Sequence, residues 1–362
     1  MLFSYTYVPH KIEKMQEYMD YIFYEVWYKA IYTKGRFSLE LFNDNLELKE
    51  IMVDFFNSST EGGDLFYRSV EEVFYIFQKI DSIDTNKLKV WYEANNNIEQ
   101  LCQATNGVVP ITYSELKVFH EPLHNKIKKL FTVLYGSKII GLKAVYSKVG
   151  KIDEHYKVFM LENTKAKCPC CGLNNLKGVY HTKREAYDHY LPKGTYPFNS
   201  INFKNLIPLC HECNSSYKLE KNPLYKVPNP IKGRRKAFYL YTDKNISIDV
   251  SVSLNLTRKD EIKPENIEIE LKSTGYEEEL ETWKEVFSIE ERYKAECSSE
   301  NDGLDWIEQI TDDIDNYEED ITKEQALDTL RKATKRKPFA EKRFLKLPFL
   351  EACEEIGLLN HS

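Results

Sequence analysis

An Asp–His pair and two closely spaced cysteine pairs are the residues of this sequence whose types and spacing could do chemistry. The stretch YDHYLPK, residues 187–193, places Asp188 and His189 just ahead of a proline-containing turn. The stretch LCHECNSSYK, residues 209–218, places Asn214 directly behind a cysteine pair. An imidazole can take a proton from water near neutral pH, and carboxylate or carboxamide oxygens bind hard cations such as Mg²⁺ and Mn²⁺. Metal-assisted hydrolysis needs residues of these types.

Four cysteines form two Cys-x2-Cys pairs, which predict a structural zinc site. Cys168 and Cys171 form one pair, and Cys210 and Cys213 form the other. Four thiolates give Zn²⁺ a tetrahedral shell with no open position, so such a site is structural rather than catalytic. Gly172 suits the tight turn behind the first pair because glycine tolerates a positive φ. In so loop-rich a segment, the free energy of metal binding contributes directly to folding.

Two neighbouring residues leave the ligand set with alternatives. Cys170 could replace Cys168 or Cys171 on the metal, although the Cys-x2-Cys geometry favours the outer pair. His211 lies inside the second pair, and we expect it in solvent or behind the ligands rather than on the metal. The other alternative is a core of reduced cysteines, which the polar surroundings disfavour.

Residues 165–222 resemble the HNH endonucleases, also called His-Me finger or ββα-metal nucleases. DHYLP matches the family's D-H-x-x-P, KNLIPLC matches N-L-x-x-L-C, and CHECNSSYK matches a slightly lengthened C-x-x-C-[NH]-x-x-K. The resemblance implies a strand ending near AYDHY, a loop, a short strand at NLIPL and a helix beginning near residues 213–214. Zinc bound by the two cysteine pairs would hold the two ends of this finger together.

The resemblance also implies roles for individual residues. His189 would be the general base, and Asp188 and Asn214 would hold one Mg²⁺ or Mn²⁺ ion. Asn205 would tie the loop back by side-chain hydrogen bonds so that His189 is aimed correctly, and Lys218 would face the phosphate. The expected products carry 5′-phosphate and 3′-hydroxyl ends. Lys218 departs from the family pattern because it follows Asn214 by four residues rather than three.

The charge distribution favours a polyanion as a partner, and the resemblance to HNH endonucleases implies that this polyanion is DNA. The 362 residues carry a formal net charge of −7. Residues 164–236, however, hold 14 Lys and Arg against 4 Asp and Glu, so a basic segment lies within an acidic protein. Such asymmetry is typical of a module that binds a polyanion, although a solvated lysine-rich surface has the same composition.

Composition predicts a globular protein outside the membrane. Apolar residues make up 42% and charged residues 30% of the chain, and there is no run of about 18 apolar residues. The start, MLFSYTYVPHKIEK, lacks the basic residues and long apolar core of a signal peptide. We therefore expect a cytoplasmic location, where reduced cysteines bind metal rather than form disulfides.

The hydrophobic pattern predicts an α+β protein with three regions. Residues 1–150 show helical spacing, and we expect a mainly helical region for partner binding or regulation. Residues 160–235 hold the zinc-stapled finger. Residues 236–362 begin with alternating apolar and polar residues, which predicts strands, and continue at helical spacing. Strands are expected at AFYLYT, ISIDVSVSLNL and NIEIELKS, and Ser114 is expected to cap a helix.

The stretch after these strands suggests a biological setting. LETWKEVFSIEERY looks like the tail of HNH effectors that are encoded beside ATPases in bacterial antiphage systems, such as the Septu type. This resemblance implies an ATPase or sensor partner, a homo- or hetero-oligomer, and activity that stays silent until infection. Two other functions remain open: a zinc-stapled module that binds nucleic acid or protein without chemistry, and a nuclease directed at RNA.

Overall fold

Helices and two small antiparallel sheets make up the computed structural model, which describes residues 1–226, 233–316 and 322–359. The α+β class is confirmed. Residues 227–232 of the predicted region 160–235 lie outside the described residues, as do residues 317–321 and 360–362 of the predicted region 236–362. Among the described helices, none is long and apolar enough to cross a bilayer.

The N-terminal region is helical, as the spacing of its apolar residues predicts. Its apolar faces meet in one core, which also takes up side chains from the rest of the chain. The α-helices are α1 (Lys14–Tyr21), α2 (Leu46–Phe56), α3 (Glu61–Phe77), α4 (Ser82–Asn96), α5 (Ile98–Cys102), α6 (Tyr113–Phe119), α7 (Glu121–Leu134), α8 (Lys143–Val149) and α9 (Ile152–Glu162). Helix α7 packs against α3 and α6 and becomes important for the site below.

The chain from α1 to Tyr32 is helical throughout, but its geometry changes twice. Helix α1 continues into a π-helical turn, Ile22–Trp27, and then into a 3₁₀ segment, Tyr28–Tyr32. Phe23 is fully buried and stacks on Tyr92 of α4, with ring centroids 3.9 Å apart. Aromatic packing of this kind adds to the free energy of burial and fixes α1 against α4.

Thr112 rather than Ser114 caps helix α6, so the predicted cap is wrong. The Thr112 side-chain oxygen accepts a hydrogen bond from the backbone N–H of Glu115 at 3.2 Å. The Glu115 carboxylate accepts one from the backbone N–H of Thr112 at 2.7 Å. Both hydroxyls suit a cap, but only Thr112 is followed three residues later by a glutamate, which completes the reciprocal pair.

Two short strands follow α9 where the sequence predicts them. Strand β1 (Tyr187–His189) pairs antiparallel with β2 (Leu206–Pro208), and Asp188 lies opposite Ile207. The helical segment after the second cysteine pair includes a π-helical turn, Cys213–Lys218. We call this the π segment.

The described part of the C-terminal region contains a second hairpin and five α-helices. Strands β3 (Asp249–Leu254) and β4 (Ile267–Lys272) pair antiparallel, and alternate residues of β4 are buried, as the sequence pattern predicts. Helix α14 packs against β3, and α11 packs against β4. The helices are α10 (Glu277–Phe287), α11 (Ile289–Cys297), α12 (Gly303–Asn316), α13 (Lys323–Arg336) and α14 (Arg343–Glu355).

The predicted strand at AFYLYT, residues 237–242, is wrong. All of these side chains are buried. The backbone N–H of Ala237 donates to the carbonyl of Cys102, and the carbonyl of Leu240 accepts from the N–H of Tyr5. The apolar residues therefore reflect burial among N-terminal segments, not one face of a sheet. Single backbone hydrogen bonds to two distant segments do not form a ladder.

His155 on α9 links this helix to β1 and makes stability depend on pH. Its ring is buried beside Tyr187, and Nε2 lies 3.3 Å from the carbonyl of Val8. The pKa of His155 is lowered to about 4, mainly because the ring is buried. The Val8 carbonyl raises this pKa by accepting a hydrogen bond from the charged ring, and the nearby His10 lowers it. The folded state therefore holds this ring neutral below the pH at which an unfolded histidine gains a proton.

We predict that the free energy of unfolding falls as the pH drops from about 6.5 to about 4, by roughly 3 kcal/mol from this residue. The sign follows because the unfolded chain binds the proton more readily, and the stabilisation is complete only above the unfolded pKa. Urea unfolding of wild type and His155→Gln should show a shallower pH dependence in the variant. The exposed His181→Gln variant serves as the control, and equal slopes for His155→Gln and wild type would contradict the prediction.

Candidate active site and metal centre

Asn205 closes the loop that joins β1 to β2. Its side-chain Oδ1 accepts a hydrogen bond from the backbone N–H of Leu191 at 2.8 Å, and Nδ2 donates to the Leu191 carbonyl at 3.0 Å. The backbone N–H of Tyr190 donates to the Asn205 carbonyl at 2.9 Å. The Asn205 carboxamide is fully buried. Its two bonds to Leu191 take the place of the backbone–backbone hydrogen bonds that a longer β1 would form. The structure thus shows the tie that the sequence predicts for Asn205; its effect on catalysis stays a prediction.

The N-terminal helices hold the same loop from outside. The Ser200 hydroxyl donates to the carbonyl of Phe131 in α7 at 2.7 Å. The Asn95 carboxamide of α4 donates to the carbonyl of Pro197 at 2.9 Å. Between these anchors Phe198 has a φ of 76°, a strained conformation for a bulky residue, and its ring is buried against Phe131. Packing against the helical region therefore stabilises a loop conformation that the local backbone disfavours.

His189 is oriented by two contacts from this assembly. Its Nε2 lies 2.9 Å from the Ser200 carbonyl, which assigns the ring proton to Nε2. Nδ1 forms no hydrogen bond within the described part of the chain, so its lone pair can accept a proton. The ring of Tyr135, at the end of α7, meets the half-buried imidazole edge-on with centroids 4.9 Å apart.

The electrostatic surroundings keep His189 neutral. Burial is the main cause and lowers the pKa to about 3; the positive charges of Lys193 and Lys218 lower it further, and the Ser200 carbonyl opposes them. A neutral imidazole is the form that a general base requires.

A buried ion pair joins β1 to the π segment. The ammonium of Lys218 lies 2.9 Å from Oδ2 and 3.1 Å from Oδ1 of Asp188 and donates to the backbone carbonyl of His189 at 2.9 Å. Lys218 has no exposed surface and Asp188 is 4% exposed. Burial raises the pKa of Asp188, and the ammonium opposes this rise. The structure therefore directs Lys218 inward, and a contact with a bound phosphate would require this pair to open.

The π segment offers a physical account of the unusual spacing of Lys218. The backbone N–H of Leu219 donates to the carbonyl of Asn214, five residues earlier. A π-helical turn holds one residue more than an α-helical turn. A lysine four residues after Asn214 can thus lie on the helix face that a lysine three residues later would occupy in a regular helix. The π-helical turn accommodates the extra residue, and the Lys218 side chain still reaches β1.

The four cysteines predicted as zinc ligands converge. The sulfurs of Cys168, Cys171, Cys210 and Cys213 all lie within 4.8 Å of one another, and all four residues are buried. This group could hold a metal ion such as zinc, because four sulfurs at this spacing match a tetrahedral thiolate shell. Cys170 is buried but outside the group, so the outer pair is selected.

Gly172 lies directly behind this cluster, as its predicted turn requires. Its φ is 70°, and a Cβ there would lie 2.4 Å from Leu2 and 2.8 Å from Phe344. The positive φ therefore favours glycine here, and a side chain would also have to displace those of Leu2 and Phe344. His211 is exposed and takes no part in the sulfur group, in agreement with the expectation for it.

The C-terminal helices complete the sulfur site with residues that the sequence analysis missed. Arg292 of α11 donates from Nη1 to the sulfur of Cys213 at 3.2 Å, and its guanidinium lies 4.2 Å from the ring centroid of Tyr217. The indole N–H of Trp283 in α10 donates to the carbonyl of Cys170 at 2.8 Å. A cation beside a cluster of thiolates offsets their negative charge. No spacing rule marks Arg292, because it lies 79 residues from Cys213.

Asp188 and Asn214 are the oxygen donors predicted for a catalytic cation. Oδ2 of Asp188 is buried and accepts no hydrogen bond of normal geometry, although the Lys218 ammonium is near it. Within the described residues, the Asn214 carboxamide forms no hydrogen bond. Oxygens without a protein donor fit a hard divalent ion. The Lys218 ammonium, however, lies 2.9 Å from Oδ2 and 3.1 Å from Oδ1, so a divalent ion on Asp188 would have to share this carboxylate with the lysine.

Comparison with known proteins finds similarity over part of the chain. Septu protein PtuB of Bacillus thuringiensis is 30% identical over 76 residues, which are 21% of this chain and 28% of that protein. Protein ea31 of Escherichia phage lambda is 34% identical over 87 residues, which are 24% of this chain and 25% of that protein. The chain thus matches about a quarter of the length of these relatives. No family model and no solved structure matches it.

We predict that the purified protein contains one zinc ion per chain and that Cys171→Ser loses it. Because metal binding contributes to folding, the variant should unfold at least about 10 °C lower in thermal denaturation. Elemental analysis measures the zinc. Cys170→Ser is the matched control, a buried cysteine of the same turn outside the sulfur group. Zinc retained by Cys171→Ser, or lost equally from Cys170→Ser, would contradict the assignment.

A second prediction concerns the buried ion pair. Lys218→Met should lower the free energy of unfolding by about 3–5 kcal/mol, because it leaves the Asp188 carboxylate buried without a cation. Adding Asp188→Asn removes that charge, so the double variant should be more stable than Lys218→Met alone. A double-mutant cycle in urea measures the coupling. If the two costs simply add, the two side chains do not stabilise each other.

Proposed function

We propose that this protein is a metal-dependent endonuclease of the HNH type that hydrolyses DNA, with His189 as its general base. The observation that carries the proposal is the buried contact of Lys218 with Asp188 and with the His189 carbonyl. This contact holds the π segment, which includes Asn214, against the strand of the Asp–His pair. A sulfur cluster that suits zinc lies at the beginning of the same segment.

The residues of the chain would divide the reaction among them. His189, neutral and with its proton on Nε2, takes a proton from water on Nδ1. Asp188 and Asn214 hold the Mg²⁺ or Mn²⁺, which when bound stabilises negative charge on the phosphate and on the leaving 3′ oxygen. Asn205 keeps the end of β1 in place, and Lys218 positions Asp188. Products with 5′-phosphate and 3′-hydroxyl ends are what the resemblance to HNH endonucleases implies.

The biological setting that we propose is bacterial antiphage defence, with an ATPase or sensor as partner. The partial similarity to Septu protein PtuB supports it. Acidic regions flank the basic segment 164–236, and their negative charge weakens non-specific binding to DNA. A protein that binds DNA weakly by itself is compatible with control by a partner. We expect the protein to act in the cytoplasm, where its substrate is found.

A second candidate is a zinc-stapled module that binds nucleic acid or protein without chemistry. The observation that favours it is the neutralisation of Asp188 by Lys218, which leaves a divalent ion less charge to bind. An RNA substrate is the other alternative, because a finger that contacts phosphate does not by itself distinguish DNA from RNA. The experiment below separates these functions from the proposed one.

We predict that the complex purified from the native host cuts plasmid DNA when Mg²⁺ or Mn²⁺ is present, and that His189→Ala lowers the rate by about 10²–10⁴-fold. The variant should keep its zinc content, because His189 lies outside the sulfur group. His211→Ala, which changes an exposed histidine outside the sulfur group, is the matched control and should cut at the wild-type rate. Equal cutting by His189→Ala and wild type would exclude His189 as the base, and cutting of RNA alone would exclude DNA.

A further inference from the structure

A groove between helix α9 and the loop of residues 177–184 has no role in the chemistry described above. Its volume is about 510 Å³. Tyr156 and Lys157 of α9 line one side, and the loop lines the other as far as Ala186, two residues before Asp188. We call it the loop groove. Its position directly upstream of β1 places it beside the candidate active site.

The loop presents an aromatic ring to solvent. A tight turn is fixed by His181, whose backbone N–H donates to the Gly178 carbonyl at 3.0 Å and whose Nδ1 accepts from the Gly178 N–H at 3.0 Å. This turn leaves Tyr180 98% exposed, more than any other large apolar or aromatic residue in the described part of the chain. An exposed ring contributes no burial free energy to folding, but it offers a flat surface for stacking.

The groove carries positive charge that the protein leaves unpaired. The carboxylate of Asp153 forms an ion pair with Arg184, with Oδ1 and Nε 2.6 Å apart. The carboxylate of Glu185 forms another with Lys177, with Oε1 and Nζ 3.1 Å apart. Lys157 and Lys183 line the groove, are exposed, and form no ion pair within the part of the chain that the structure describes. Tyr180 belongs to the same loop as Lys183, at the edge of the groove rather than in its lining. Unpaired ammonium groups and an exposed aromatic ring on one loop match the pattern of a site for single-stranded nucleic acid.

The loop groove lies on the His189 side of β1. Side chains two residues apart in a strand point to the same face, so Tyr187 and His189 share one. The Arg184 guanidinium, which lines the groove, lies 5.7 Å from the ring centroid of Tyr187. A strand that lay in the groove would therefore continue past the general base rather than past the buried ion pair on the other face.

We propose that the loop groove binds an unpaired segment of a DNA strand next to the scissile phosphate. Tyr180 stacks on a base, and Lys157 and Lys183 contact backbone phosphates. This inference rests on the proposed function and names its substrate class: DNA with a single-stranded stretch beside the cut. Stacking accepts any base, so the groove selects unpaired geometry rather than sequence.

Binding can be tested without cutting. Fluorescence anisotropy would follow a labelled DNA oligonucleotide, as a single strand and as a blunt duplex, with the full-length protein and no added divalent cation. Wild type should bind the single strand more tightly. Tyr180→Ala should weaken single-strand binding by roughly tenfold and duplex binding much less, while Tyr180→Phe keeps the wild-type affinity. Tyr32→Ala, another exposed tyrosine, is the matched control.

The lysines have a separate signature in the salt dependence. Each phosphate contact contributes about 0.7 to the slope of log affinity against log salt for a single strand. Lys157→Gln combined with Lys183→Gln should therefore lower the slope by about 1.4, whereas Lys34→Gln, an exposed lysine of the N-terminal region, should leave it unchanged. An unchanged slope in the double variant would overturn the placement of the backbone along the groove.

The proposal is overturned if Tyr180→Ala binds the single strand as wild type does, or if it weakens duplex and single strand equally. It is also overturned if the variant loses only a co-purifying protein, because the loop would then be a protein-docking surface. Failure of the proposed function gives a different result. If the native complex cuts no DNA while Tyr180→Ala still weakens single-strand binding, the groove stands and the nuclease assignment falls.

Discussion

The enclosed ammonium of Lys218 is the constraint on which the candidate site depends. A buried cation without an opposite charge would cost several kcal/mol, so Asp188 and the carbonyl of His189 must stay within reach of it. Those two groups belong to β1, and the lysine belongs to the π segment. Charge satisfaction therefore fixes a strand of three residues against a helix, although so short a strand has little stability of its own.

The sulfur cluster fixes the other end of the same helix. Cys213 is both a member of the cluster and the first residue of the π segment. Arg292 reaches its sulfur from α11, and the same guanidinium covers the ring of Tyr217 near the end of the segment. The helix is thus held by sulfur at its beginning, by a cation along its side and by Lys218 at its end. A change at the sulfur cluster would therefore reach Asp188 through this helix.

The parts of the site that the sequence predicted are those in which neighbours in sequence are neighbours in space. The cysteine pairs, the two strands and the tie made by Asn205 all belong to residues 168–213, where turns and spacing dictate geometry. The inward direction of Lys218 was missed because it depends on an extra residue in a helical turn, and Arg292 because no local pattern connects α11 to a distant cysteine. The prediction of a strand at residues 237–242 is wrong because full burial and one-sided burial both place apolar residues close together in the sequence.

Helix α7 connects the N-terminal region to the chemistry that we propose. It supplies the carbonyl that anchors Ser200, and Ser200 in turn orients His189; Tyr135 at its end packs on the same imidazole. The strained φ of Phe198 is retained only because its ring is packed against α7 and its neighbours. A displacement of α7 would release that strain and remove both contacts that aim the ring. A partner bound to the helical region could therefore control the base without touching the finger, which gives the N-terminal residues a physical route to regulation.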